Sequence, residues 1–163
     1  MAASGKPPET ALWHDLECGG YEADLPLWRE LADASDGELL ELGCGTGRVA
    51  LDLAGRGHGV WALDSERVLL AALRERVGDR LALQTVCADA RSFTLEQRFG
   101  LCAIPMQTIQ LLGGATGRRS CLARVRSHLR PAGLLAAAVV DLSGPWARDP
   151  EALPAADVCE RGG

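Results

Sequence analysis

Short apolar runs alternate with amphipathic segments along most of the chain. Five largely apolar runs have the length of β-strands: Glu38–Leu42, Gly59–Leu63, Leu81–Cys87, Phe99–Ile104 and Leu134–Val140. Apolar residues at helical spacing predict five helices, at Glu9–Glu17, Asp24–Ala34, Arg48–Arg56, Glu66–Val77 and Arg118–Leu129. Apolar strands that alternate with helices are typical of a parallel sheet covered on both faces.

This alternation predicts an α/β fold of the Rossmann-like, doubly wound kind, with a mainly parallel sheet of about five strands. A length of 163 residues suits one domain. Within it we distinguish a helical lead-in at 1–36, the Rossmann-like core at 37–142, and a tail rich in proline and glycine at 143–163. In the last predicted helix, Leu122 and Val125 are expected to face inward together with Leu129.

Composition and charge exclude several classes of protein. Apolar residues make up 47% and charged residues 24%, as in globular proteins, and a net charge of −5 argues against a general nucleic-acid binder. The longest apolar run, Leu134–Val140, is too short to span a bilayer, so we expect no membrane segment. The six cysteines form no CxxC pair and no cluster with histidine, so we expect neither a metal site nor a disulfide framework. We therefore predict a cytoplasmic protein.

A glycine-rich loop follows the first predicted strand. It comprises Glu41-Leu-Gly-Cys-Gly-Thr-Gly47 and leads directly into a predicted helix. In open α/β sheets, ligands bind outside the carboxyl ends of the strands, and glycines there allow a close approach of the backbone. The dinucleotide fingerprint G-x-G-x-x-G would place its third glycine one position after Gly47. The spacing therefore favours a cofactor other than a nicotinamide dinucleotide.

The loop and the strand ends after it resemble the class I S-adenosylmethionine-dependent methyltransferases. The loop fits that family's E/D-x-G-x-G-x-G motif, and Asp64-Ser65, Asp89-Ala90 and Pro105 follow the next three predicted strands as in the family. The resemblance covers about residues 11–142. It implies a methyltransferase that uses S-adenosyl-L-methionine and acts on an unidentified small-molecule acceptor.

The resemblance also implies a set of cofactor-binding residues: Glu41, Gly43, Cys44, Gly45, Gly47, Asp64, Ser65, Asp89, Ala90 and Pro105. Asp64 would accept hydrogen bonds from both ribose hydroxyls, because a carboxylate can serve two donors. Asp89 would accept a hydrogen bond from the adenine amine, with the backbone of Ala90 against the ring edge. The backbone at Gly43 would pass the amino-acid tail, with Glu41 ordering the loop.

We assign no catalytic residue from the sequence. Methyl transfer from a sulfonium is an in-line displacement, to which a protein contributes mainly by positioning the reactants. A catalytic residue, if the reaction uses one, is expected at 106–110, after the fourth strand. Cys44 has no partner base in the sequence pattern, and His14, His58 and His128 lack ligand spacing and are expected at the surface or at helix ends.

Two alternatives stay open. An NAD-dependent oxidoreductase shares the strand–glycine–helix arrangement, but the glycine spacing disfavours it and Lys6 is the only lysine. A truncated cofactor-binding module without turnover is the other alternative, because the family usually has seven strands and only 142–163 follow Asp141. Without the last two strands, the fifth strand would be an apolar sheet edge, which favours self-association.

Overall fold

Five parallel strands form a single sheet. The computed structural model describes residues 8–78 and 81–141. The strands are β1 Leu39–Leu42, β2 Val60–Asp64, β3 Leu83–Cys87, β4 Phe99–Ile104 and β5 Leu129–Ala137, in the spatial order β3-β2-β1-β4-β5. All four neighbouring pairs are parallel. The strand order reverses between β1 and β4, so the predicted Rossmann-like, doubly wound fold is confirmed.

Helices cover both faces of this sheet. They are α1 Glu9–His14, α2 Leu25–Asp33, α3 Arg48–Gly55, α4 Arg67–Arg76 and α5 Gly114–His128. One core cluster joins buried residues of α2, α3 and α4 to the sheet, and a second joins α5 to its other side. Alternate residues of β4 enter the two clusters, with Leu101 in the first and Cys102 in the second. This period of two is that of a sheet buried on both faces.

The lead-in helix differs from the prediction. The segment expected to be one helix at Glu9–Glu17 is α-helical only as far as His14, and a π-helical turn, Asp15–Gly19, continues it. Such turns occur mostly as single insertions and are frequent at functional sites. His14, the last residue of α1, and Asp15, the first residue of the turn, lie over the glycine-rich loop, as described below.

The buried face of α5 also differs from the prediction. The helix begins at Gly114 rather than at Arg118, and its buried residues are Gly117, Cys121, Val125 and His128. Leu122, which was expected to face inward, is 38% exposed. A Cβ atom at Gly117 would lie 1.5 Å from the carbonyl oxygen of Leu112. The inward face of this helix therefore carries Gly117 and Cys121 rather than Leu122.

The fifth strand begins earlier than expected. It runs Leu129–Ala137, not Leu134–Val140, because Pro131–Gly133 form a bulge within the strand. Phe99 pairs with Leu129, and the next pair of the ladder joins Leu101 to Leu134. Ala132 takes up the extra chain with φ of 62°, which is rare for a residue with a side chain. Similarly, β3 begins at Leu83 rather than at Leu81.

Three ion pairs fasten the lead-in segment to the core. Asp15 binds Arg76 of α4 at 2.5 Å, Asp24 binds Arg48 of α3 at 2.5 Å, and Arg29 of α2 binds Asp52 of α3 at 2.6 Å. They hold α1 and α2 beside the carboxyl edge of the sheet. The predicted tail at 143–163 lies outside the described residues. None of the helices in the described ranges is long and apolar enough to cross a membrane.

Candidate functional site

A cavity of about 370 Å³ lies at the carboxyl edge of the sheet. Its wall is built by the segments after β1, β2, β3 and β4, together with one residue of α1 and one of α4. The lining residues are His14, Gly43, Leu63, Asp64, Ser65, Leu69, Ala88, Asp89, Ala90, Arg91, Thr108, Leu111 and Leu112. A cavity at the reversal of strand order is where open α/β sheets bind their ligands.

The glycine-rich loop runs in left-handed backbone conformation at alternate positions. Gly43, Gly45 and Gly47 have φ of 71°, 54° and 95°, a region that favours glycine. A Cβ atom at Gly43 would collide with Thr108, and one at Gly45 would lie 2.2 Å from Nε2 of His14. Protein side chains, rather than open space, therefore occupy the room beside these two glycines.

Asp64 ties the loop after β1 to the end of β2. Its Oδ2 accepts a hydrogen bond from the backbone N–H of Gly45 at 2.8 Å, and its Oδ1 accepts one from Glu66 at 2.9 Å. The side chain lines the cavity although the residue is only 9% exposed. Each carboxylate oxygen keeps acceptor capacity beyond its one protein bond. Asp64 can therefore hold the loop and still accept hydrogen bonds from a ligand.

Asp89 faces the same cavity but is engaged by its neighbour. Arg91 donates to its carboxylate from Nε and Nη2, and the backbone N–H of Arg91 donates at 2.8 Å. These hydrogen bonds hold the pKa of Asp89 below its ordinary value. The carboxylate is thus charged, and any ligand amine would share it with Arg91.

Two loop residues are buried behind the cavity wall. Burial raises the pKa of Glu41 to about 8, against the opposing charge of Arg48. Within the described ranges, Oε2 of Glu41 has no hydrogen-bond partner. Burial also raises the pKa of the Cys44 thiol, which contacts the carbonyl oxygen of Gly45. Cys44 is accordingly a neutral thiol and not an activated nucleophile.

The structure brings part of the expected site together. Gly43, Asp64, Ser65, Asp89 and Ala90 line the cavity. The remaining expected residues, Glu41, Cys44, Gly45, Gly47 and Pro105, do not contribute to its wall.

Sequence reasoning missed several residues of the wall. His14 is the least expected, because it is half-buried against a loop some 30 residues further along the chain and carries no motif. Thr108 lies within 106–110, the segment in which a catalytic residue was expected. Its side chain contacts Gly43 of the glycine-rich loop. His128, expected at the surface or at a helix end, ends α5 and is buried, where its Nε2 accepts a hydrogen bond from the N–H of Leu95.

A second, smaller hollow of about 180 Å³ lies near the ends of β4 and β5. It is lined by Tyr21, Asp24, Met106, Gln107, Ala138, Val139 and Val140. Met106 has φ of 55°, a strained value for a residue with a side chain. The amide of Gln110 pairs with both backbone groups of Val140, at 2.7 and 3.1 Å. This pairing fixes the chain after β5 against the segment after β4.

Comparison with known proteins gives the family. Residues 39–133, more than half of the chain, match the family described as Methyltransferase domain. The chain belongs to the class I S-adenosylmethionine-dependent methyltransferases. The sequence resemblance is thus confirmed, and membership of the methyltransferase family sets aside the oxidoreductase alternative.

Individual methyltransferases resemble the chain over most of its length. It is 32% identical over 124 residues to the cypemycin N-terminal methyltransferase of a Streptomyces species, covering 76% of this chain and 49% of that protein. The CcbJ methyltransferase of Streptomyces caelestis aligns with a TM-score of 0.66 and 28% identity, over 72% of this chain and 49% of that one. The glycopeptide N-methyltransferase MtfA complexed with sinefungin aligns with a TM-score of 0.63 and 31% identity, over 71% and 54%. The chain spans about half the length of the curated relatives that it matches.

Proposed function

We propose that this chain binds S-adenosyl-L-methionine in the cavity lined by Asp64 and Asp89, and forms the cofactor-binding part of a methyltransferase for a small-molecule acceptor. The observation that carries the proposal is the carboxylate of Asp64, which is pinned by Gly45 and presented to a cavity of about 370 Å³. A volume of this order lies in the range of small-ligand sites. One relative of known structure, MtfA, was solved both with S-adenosyl-L-methionine and with S-adenosyl-L-homocysteine.

The residues around the cavity fit the parts of this cofactor. Asp64 offers acceptors for a ribose diol, with Ser65 beside it, and the charged Asp89 offers acceptors for the exocyclic amine of adenine. Ala90 would lie against the base. Gly43 and the buried Glu41 would position the amino-acid tail at the end of β1. When bound, the cofactor supplies an electrophilic methyl group, and the protein's residues hold it in place.

The acceptor would approach through the smaller hollow. That hollow begins directly after Pro105, at the edge of the sheet that also carries the glycine-rich loop. Its small volume and the mostly uncharged residues of its wall support a small organic acceptor. Its carboxylate, Asp24, is already held by Arg48 and by the indole N–H of Trp28. We therefore assign Asp24 no proton-accepting role.

The lead-in segment would cover the bound cofactor. Its ion pairs to α3 and α4 and the position of His14 in the cavity wall support this role. The cysteines of the described residues are free thiols, which supports the cytoplasm as the site of action.

A transfer experiment tests the proposed function. The full chain is incubated with S-adenosyl-L-methionine that carries an isotopically labelled methyl group, together with a panel of small amines, alcohols and amino-terminal peptides. Mass spectrometry follows the labelled product and S-adenosylhomocysteine. We expect acceptor-dependent formation of both. Binding of the cofactor without transfer to any acceptor would show that the chain is a cofactor-binding module without turnover.

A further inference from the structure

His14 stands at the boundary between two hollows of the surface. It lines the cavity of about 370 Å³ and also a neighbouring pocket of about 420 Å³. The edge of its ring rests on Gly45, where a Cβ atom would lie 2.2 Å from Nε2 and 2.3 Å from Cε1. The position of His14 is therefore set by the glycine-rich loop and not by its own helix alone.

A hydrogen-bond network orients the ring of His14. The hydroxyl of Thr46 has a single proton, which it donates to Oδ1 of Asp15 at 2.7 Å. Arg76 binds the same carboxylate from Nη1 at 3.0 Å and Nη2 at 2.5 Å, and also reaches the carbonyl oxygen of Thr46. Burial raises the pKa of Asp15, but the hydrogen bonds from Arg76 and Thr46 outweigh it, so that the pKa lies below its ordinary value. Asp15 is thus a charged acceptor.

The hydrogen bonds of Thr46 then determine which ring nitrogen of His14 carries the proton. Oγ1 of Thr46 lies 3.3 Å from Nδ1 of His14 and has already spent its proton on Asp15, so it can only accept from Nδ1–H. In the neutral ring, the other nitrogen is then a hydrogen-bond acceptor. Among the described residues, no hydrogen bond satisfies Nε2. In this tautomer Nε2 is an unpaired acceptor, on a side chain that lines the cavity beside Gly45.

The position of this acceptor selects one part of the ligand. Gly45 contacts both Asp64 and His14. Its N–H donates to the carboxylate of Asp64, and the His14 ring lies where a side chain of residue 45 would be. Both groups line one cavity and touch the same residue, so they can serve neighbouring hydroxyls of one sugar. Each oxygen of Asp64 already accepts one protein hydrogen bond, so Asp64 can take the proton of one hydroxyl while His14 takes that of its neighbour.

We propose that His14 is a cofactor-binding residue whose Nε2 accepts a hydrogen bond from a ribose hydroxyl, with Thr46 as the positioning residue that orients the ring. The inference rests on the proposed function, because it takes the ligand of the cavity to be an adenosyl cofactor. It adds a direct ligand contact from the lead-in segment, where the sequence suggested only a surface or helix-end histidine.

Titration calorimetry with two ligands tests this assignment. S-adenosylhomocysteine carries the ribose and the amino-acid tail, whereas 5′-methylthioadenosine keeps the ribose and lacks the tail. We expect His14→Phe to weaken both by a similar factor of about 3 to 10, the value of one neutral hydrogen bond. His14→Gln, which restores an acceptor, should recover part of the loss. His58→Phe is the matched control, since His58 pairs with Asp33 away from the cavity, and should change neither affinity.

The possible outcomes separate the inference from the proposed function. Failure of the wild-type chain to bind either ligand would overturn the proposed function. Wild-type binding that is unchanged in His14→Phe would overturn only the role of His14. A loss confined to S-adenosylhomocysteine would assign His14 to the amino-acid tail and reject the ribose contact. If His14→Phe does not fold, His14→Gln and Thr46→Val serve as the test variants, because both should retain the fold. Thr46→Val should weaken the binding of the two ligands equally.

Discussion

The carboxylate of Asp64 and the backbone N–H of Gly45 form a 2.8 Å hydrogen bond that joins the ends of β1 and β2. The bond couples the cavity-facing carboxylate to the shape of the glycine-rich loop. Asp64→Ala should therefore weaken S-adenosylhomocysteine by about 2 kcal/mol or more, roughly 30-fold, because it removes a charged acceptor at the ribose diol. Asp64→Asn, which keeps the volume, should also lose affinity.

Calorimetry on Asp64→Ala, with thermal unfolding in parallel, measures the two roles of this residue. The control is Glu66→Gln, whose exposed side chain lies two residues further on. Unchanged affinity in a folded Asp64→Ala protein would remove Asp64 from the site.

Glu41 gives the protein a predictable pH dependence. Its pKa is about 8 in the folded chain against 4.5 for an ordinary glutamate, so the folded state binds this proton more tightly than the unfolded state. The stabilisation is complete below about pH 4.5 and is lost as the pH rises towards 8, by at most about 1.4 kcal/mol per pH unit. Glu41→Gln should remove this slope.

Urea unfolding of wild type and Glu41→Gln near pH 5.5 and near pH 7.5 measures the effect. The stability advantage of Glu41→Gln should grow with pH. Glu30→Gln, at an exposed position of α2, serves as the control and should show a constant difference. A Glu41→Gln protein that follows the wild-type slope would show that Glu41 ionises normally.

Asp89 should discriminate between bases. If its carboxylate accepts from the exocyclic amine of adenine, Asp89→Ala will weaken S-adenosylhomocysteine and leave S-inosylhomocysteine, which lacks that amine, unaffected. Arg91→Ala frees the carboxylate from its bidentate partner and should keep or increase the preference for adenine. Competitive binding of the two ligands provides the measurement. Equal loss for both ligands in Asp89→Ala would mean that Asp89 shapes the pocket without contacting the amine.

The outer edge of β5 should promote self-association. The strand pairs only with β4 among the described strands, and Ala138 directs its N–H to Ile104. In a parallel ladder alternate residues point the same way, so the N–H of Ala137 faces the free edge. Ala137→Pro should remove an edge donor and reduce association, whereas Ala136→Pro should break the bond to β4 and destabilise the fold.

Size-exclusion chromatography with light scattering over a range of concentrations tests the edge. We expect concentration-dependent association of the wild-type chain that Ala137→Pro diminishes. A wild-type chain that is monomeric throughout would show that this edge is covered.

The core of the fold was predictable because it depends on local patterns. Runs such as Phe99–Ile104 are apolar on both faces, and this pattern alone distinguishes a buried parallel strand from its surroundings. The buried face of α5 was not predictable, since Leu122 is more apolar than Gly117 and yet is 38% exposed, whereas Gly117 is buried. The start of β5 was missed because its bulge resembles an ordinary turn in sequence.

The site was predictable to the extent that it follows strand ends. Asp64 ends β2, and Asp89 lies two residues after the end of β3, so both reach the carboxyl edge of the sheet. His14 was missed because its place depends on its contact with Gly45 and on Asp15 meeting Arg76 of α4. Contacts between distant segments leave no periodic signal in a single sequence.

The identity of the bound cofactor is the central claim, and a paired titration tests it most directly. The full wild-type chain is titrated with S-adenosylhomocysteine and, under the same conditions, with NAD⁺. We expect saturable, micromolar binding of S-adenosylhomocysteine and no binding of NAD⁺ at the same concentrations. Micromolar binding of NAD⁺ alone would contradict it.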